Sequence, residues 1–215
     1  MDKFLEKFSL YEFFAYFIPG TSLLGILILQ DFYSLNCIDY KEYSLFFTFV
    51  LLFIGYFLGI IIHEVGELLQ KHLVFKGNKL PSFTYTQNDS AIFSETEIED
   101  YKKMAKKMYD IDITDAQNAD LFFHRLRTNL KNVEKYNEAE IINNNYGICR
   151  SYLALAVILT TITFFNIFFN LSFLNIGIFL LNLFFIFILH RRLKRFGQTY
   201  VKKVLRLAYS KLKEE

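Results

Sequence analysis

The chain has 215 residues, 53% of them hydrophobic and 19% aromatic, with 24 Lys and Arg against 22 Asp and Glu. A soluble domain is about 45–50% apolar; here the excess is gathered into the blocks 13–29, 45–62 and 151–189, with a polar, charge-balanced stretch over 70–150. That segregation excludes an ordinary soluble core, which mixes the two residue kinds at helical or strand spacing, and Cys37 and Cys149 are too few and too far apart for a disulfide framework.

A spanning helix needs about 20 mostly apolar residues to cross about 30 Å of hydrocarbon. The first block has no basic stretch leading to a small-residue cleavage site, so it is expected to stay as a span. Pro19 in its middle lacks a backbone donor and predicts a kink or a restart. A restart would leave residues 2–17 as an interfacial helix with Phe4, Phe8, Tyr11 and Ala15 on one face. A kinked span is the preferred reading, because residues 19–29 alone are too short to cross. The second block, LFFTFVLLFIGYFLGIII, carries no charge and predicts a span over 45–62. The third suits two spans, 149–168 and 173–189, turning near Phe169-Asn170-Leu171-Ser172.

Within the second span, Thr48, Gly55, Gly59 and Gly66 fall on one stripe and predict close helix packing. His63-Glu64-Val65-Gly66-Glu67 follows. It is similar to part of the His-Glu-x-x-His motif of zinc peptidases, but Glu67 replaces the second histidine and no third ligand stands out. No metal, cofactor or catalytic set is expected. Two readings of the segment remain. The helix leaves the bilayer here and His63 and Glu67 form an i,i+4 pair on a wet surface, or, in an oligomer, Glu64 or Glu67 makes a ring of carboxylates at a pore mouth. His63, Glu64 and Glu67 are therefore pore or gate candidates. Thr160 and Thr163 on the third span and Asn182 near the middle of the fourth join them. An amide at that depth needs a partner, such as a hydrogen bond to Thr160, or water.

Between the hairpins, Pro81 and residues 84–90 mark a loop, Ser94-Glu95-Thr96-Glu97 opens a helix to about Tyr109, and Thr114-Asp115-Ala116-Gln117 opens a second. The second is read as running into the third span, with a weak point at Asn143-Asn144-Asn145. Arg125, Arg127 and Lys131, beside Phe122 and Phe123, are ligand or partner candidates. The tail 192–213 places Leu193, Phe196, Tyr200, Val204, Leu207 and Leu212 at helical spacing among basic residues. It reads first as a juxtamembrane helix on anionic lipid, and second as a docking site for an anionic partner through Arg191, Arg192 and Arg195.

Orientation follows from Lys and Arg near the span ends. The loop 31–44 has one Lys and three acids, and the turn 166–175 has no charge. Lys3, Lys7, Lys71, Lys76, Arg150, Arg191, Arg192, Lys194 and Arg195 all fall on the other side. The expectation is an all-α protein of the inner membrane with four spans and both ends in the cytoplasm. Its parts are 1–70 (an interfacial segment and two spans), 71–148 (cytoplasmic helices), 149–190 (a hairpin of two spans) and 191–215 (a basic tail). Residues 63–67, Arg150 and 190–195 then meet at one cytoplasmic level, where a gate or docking surface would have to be.

The run Leu10-Tyr11-Glu12-Phe13-Phe14-Ala15-Tyr16-Phe17-Ile18-Pro19-Gly20, with Gly55-Tyr56-Phe57-Leu58-Gly59 and Tyr146-Gly147-Ile148-Cys149-Arg150-Ser151, resembles small bacterial membrane effectors of anti-phage defence operons, of the Hailong type. The resemblance implies an oligomeric ion channel that depolarises the membrane, paired with a cytoplasmic nucleotidyltransferase and controlled by its nucleotide or oligonucleotide product. The residues themselves favour an oligomeric, ligand- or partner-gated pore. The alternative is a non-enzymatic membrane anchor that recruits a soluble partner.

Overall fold

Pro19 has no N–H to give to the preceding turn of helix, and the first helix answers by widening. The structure, a computed structural model, describes residues 10–31, 44–75, 93–131, 136–169 and 171–214. Helix α1 comprises Leu10–Glu12, a π-helical turn over Phe13–Phe17 and Ile18–Asp31. The Ile18 N–H reaches back five residues to the Phe13 carbonyl. The Thr21 hydroxyl donates to the carbonyls of Phe17 at 2.7 Å and Ile18 at 3.2 Å. The helix therefore continues through Pro19 instead of restarting there, and Leu10–Ile28 is long and apolar enough to cross a membrane.

Helix α2 spans Ser44–Leu69 and is followed by a second π-helical turn, Gln70–Val74. The helix continues past the span read over 45–62; His63 to Glu67 stay helical, since one glycine costs only about 1 kcal/mol. The glycine stripe is the seam with α1. A Cβ on Gly20 would strike the Gly55 carbonyl, one on Gly59 the Tyr16 carbonyl, and one on Gly55 would stand 2.6 Å from Thr21 Cγ2. Such close backbone approach is available only to glycine. Thr48, the fourth member of the stripe, is exposed.

Helices α3 (Glu95–Tyr109), α4 (Ala116–Leu130), α5 (Tyr136–Phe169) and α6 (Phe173–Glu214) complete the chain. Helix α5 runs through Asn143-Asn144-Asn145 without a break. Helix α4 ends at Leu130, and residues 132–135, through which the two were read as continuous, lie outside the described residues. Helix α6 is one rod of 42 residues that joins the expected fourth span to the tail. Among the described residues four helices are long and apolar enough to cross a membrane, over Leu10–Ile28, Thr48–Val74, Tyr136–Phe169 and Phe173–Lys211. No strand occurs among the described residues. Cys37, Pro81, Lys3, Lys7, Lys76, the 84–90 loop and the loop 32–43 lie outside them, as does most of the alternative interfacial helix.

The chain divides into two units, Met1–Leu69 with Gly147–Arg192 and Gln70–Tyr146 with Leu193–Glu215. The first is centred on Leu23, Ile62, Ala154 and Leu155, with Val65 and Ile158 packed against them. In the second, Ser94 caps α3 in a reciprocal capping box with Glu97. Asp115, one residue later than the expected Thr114, caps α4 by accepting from the Asn118 N–H at 2.8 Å. An Asp outranks a Thr at that position. Ile98, Tyr101, Met104, Phe122, Leu126 and Leu130 close over Tyr200, Val201, Val204, Leu205 and Ala208 of α6. The stripe read as lying on lipid is instead a core face: Leu193, Tyr200 and Val204 are buried, Phe196 and Leu207 partly so. The side chain of Leu212 lies outside the described residues. Arg206 pairs with Glu97 at 3.2 Å, the Tyr209 hydroxyl donates to Asp100 at 2.9 Å, and Lys203 pairs with Glu138.

A candidate polar centre joining three helices

Gly66 lets the backbone of α5 come within side-chain contact of α2. A Cβ there would stand 2.6 Å from the Arg150 carbonyl and 2.9 Å from its Cγ. One turn earlier on α2, His63 is only 5% exposed, and Ser151 opposite it is fully enclosed. His63 Nδ1 lies 2.7 Å from Ser151 Oγ, which itself donates to the Gly147 carbonyl at 3.4 Å. The Arg150 guanidinium bonds His63 Nε2 and reaches Glu67 Oε2 at 3.4 Å. A guanidinium can only donate. Nε2 is therefore the acceptor, Nδ1 carries the hydrogen, and the imidazole is neutral in this arrangement.

Two tyrosines of α1 complete the centre. The Tyr11 hydroxyl lies 3.4 Å from His63 Nε2, and the Tyr16 ring meets the imidazole edge-on at 4.8 Å between centroids. The tyrosine rings are themselves 5.8 Å apart. These residues are five apart, which an α-helix would set about 140° apart; the i→i+5 turn between them brings them to one side. Gly147 provides the space for Tyr11, since a Cβ on it would stand 2.9 Å from Tyr11 Cε2.

The arrangement works as a latch between helices. The Ser151–His63 pair resembles a nucleophile and its base, but Ser151 is fully enclosed. A cation bridging His63 and Glu67 would have to displace the Arg150 guanidinium. Among the described residues no group of three or more His, Cys, Asp or Glu is gathered. What the network does is tie α1, α2 and α5 together with charge-assisted bonds, which are about twice as strong as neutral ones.

The remaining candidates are dispersed. Glu64 is exposed and points away from the glycine stripe, so of the three polar residues at the end of the second block His63 and Glu67 are gathered and Glu64 is not. Thr160 is half-buried and donates to the Ala156 carbonyl of its own helix at 2.6 Å. The Thr160–Asn182 bond considered above is not made; the Thr160 hydroxyl turns to the carbonyl four residues back, which is within reach in a helix. Thr163 is buried and likewise bonds Leu159. Asn182 is half-buried on the α6 face that also holds Asn175, Phe179 and Ile186. Arg125 and Lys131 are exposed on α4, whereas Arg127 is half-buried beside Tyr136, Tyr200 and Glu140. Arg191, Arg192 and Arg195 are exposed, and Arg191 lies 5.7 Å over the Phe187 ring. The sequence reading did not single out Ser151, nor the Tyr11–Tyr16 pairing on the imidazole. The available signal was Pro19, which makes an i→i+5 turn favourable nearby.

The fold defines a class: an all-helical protein with four helices long and apolar enough to span a membrane. No protein-family model matches the chain, and no curated protein or solved structure matches it.

Proposed function

We propose that the chain is a multi-pass protein of the inner membrane, with both ends in the cytoplasm, that assembles with copies of itself and opens an ion pore when a cytoplasmic ligand or partner binds. The observation that carries this reading lies on α6. In α2 and α5, 28% of the apolar stretch is buried within the chain, but none of it is in α6. The half-buried face of α6 holds Asn182, near the middle of the apolar stretch that one copy leaves uncovered. An amide at mid-bilayer depth is costly unless it meets water or another helix. A water-filled path completed by further copies meets that need.

In the setting implied by the Hailong-type resemblance, opening would depolarise the membrane during anti-phage defence. The activating species would be a cytoplasmic nucleotidyltransferase or its nucleotide or oligonucleotide product. Arg125 and Lys131, exposed on α4, are the side chains through which the second unit would meet an anion. The test is ion flux from liposomes holding the purified protein, with and without an oligonucleotide. Asn182→Leu is expected to lower flux at least about tenfold while leaving assembly intact. Unchanged flux in that variant removes Asn182 from the path, and absence of flux under every condition removes the pore.

A second reading, a membrane anchor that recruits a soluble partner, is favoured by the second unit's own core and capped helices. Particle mass in nanodiscs separates the two: a closed ring of four or more supports the pore, and a monomer supports the anchor.

A further inference from the structure

Helix α2 has two faces with opposite duties. Gly55, Gly59 and Gly66 face α1 and α5. On the far side, Phe53, Phe57, Ile61 and Leu68 are exposed within about 80° of arc at about 100° per residue. Glu64 stands inside this stripe, one turn after Ile61 and one turn before Leu68. It is not a charge beyond the apolar run but a carboxylate flanked by exposed apolar side chains. Among the described residues it makes no ion pair, whereas Glu67, on the packed side, has Arg150.

Helix α6 is divided in the same way. Asn175 and Asn182 mark the inward side. About half a turn away, Leu180, Phe184, Phe187 and Ile188 are exposed, and Arg191 closes that stripe, lying over the Phe187 ring. Arg191 too makes no ion pair among the described residues. One unit thus presents two outward apolar stripes, one bearing a carboxylate at its inner end and the other a guanidinium.

We infer that a second copy of this chain docks its α6 stripe on the α2 stripe, pairing Glu64 of one copy with Arg191 of the next. The argument is charge complementarity in an apolar setting. A carboxylate on a lipid-facing stripe is costly, and an arginine fork satisfies it with two parallel bonds. The surfaces differ, so the contact is head-to-tail, and such contacts close into rings when the rotation permits. The inference rests on the oligomer proposed above and names its seam; it assigns Glu64 to the subunit boundary instead of to a ring around the pore mouth.

Charge reversal in the full chain tests it, read as particle mass in nanodiscs. Glu64→Arg alone and Arg191→Glu alone are each expected to weaken association at least about tenfold, since each sets like charges together. The double variant, with the pair swapped, is expected to recover the wild-type mass. Oxidative cross-linking of the Glu64→Cys/Arg191→Cys variant then yields covalent multimers. An oligomer that persists in both single variants and does not cross-link overturns this seam while leaving the oligomer standing. A monomeric wild-type protein overturns both.

Discussion

At the scale of single residues, the polar centre makes the sharpest demands. Arg150 bridges His63 and Glu67, so Arg150→Met leaves a buried acceptor without its donor, at a cost of about 1–3 kcal/mol. Thermal unfolding in detergent is expected to fall accordingly, while Glu99→Ala, at an exposed position of α3, stays within about 0.5 kcal/mol of wild type. Equal losses in the two variants would show that the buried network contributes nothing of its own. Gly20→Ala carries a second prediction: its Cβ strikes the Gly55 carbonyl, and neither backbone can yield without opening the α1–α2 seam. A loss of about 1–3 kcal/mol is expected from such overpacking, and the same substitution at Gly177, which faces open space, should cost none of it.

At the scale of elements, caps and apolar blocks were legible because their signals are local. Ser94-Glu95-Thr96-Glu97 announces its helix within four residues, and that helix forms with the reciprocal bonds in place. The His63–Ser151 and His63–Arg150 bonds join residues 88 and 87 positions apart, and nothing local records them. The tail misled for a related reason: an apolar stripe among basic residues looks the same whether lipid or α3 and α4 will cover it. Glu97 adds a pH dependence. The Ser94 N–H, then Arg206, hold its carboxyl below the ordinary 4.5. A depressed folded value gives stability that is present above the unfolded value and is lost as pH falls through the folded one. Acid titration of α3 helicity should show that loss, and Glu97→Gln should flatten it. Pro19→Ala tests the π-turn. Replacing a helix-interior proline ordinarily stabilises by about 3 kcal/mol, but here an α-helical path would carry Tyr11 away from His63, so the melting temperature is expected to rise less than that or to fall. A full gain would show that the tyrosine contacts are incidental.

At the scale of the whole molecule, helices α5 and α6 each contribute to both units, Tyr136 and Ala139 to the second core, Leu153 and Ala154 to the first unit. Nothing in a linear reading assigns the tail to the polar middle; the division comes from Tyr200, Val204 and Ala208 filling the space between Tyr101, Phe122 and Leu126. A variant with Val204→Asp is expected to lose protection of the α3 and α4 amides from hydrogen exchange while α1 and α2 keep theirs, since a buried unpaired charge belongs to one core only. Uniform loss across all helices would mean that the two units unfold as one.

That interleaving also fixes an order of manufacture. The residues of α3 and α4 leave the ribosome well before those of α6, and their shared core stays incomplete until Tyr200 through Ala208 have been made. Domains generally fold as units during synthesis, yet this one waits for Tyr200 through Ala208, which follow the last apolar block. A product that stops before Tyr200 would carry every apolar block and lack a finished second unit, so only chains that reach Ala208 could acquire whatever that unit recognises.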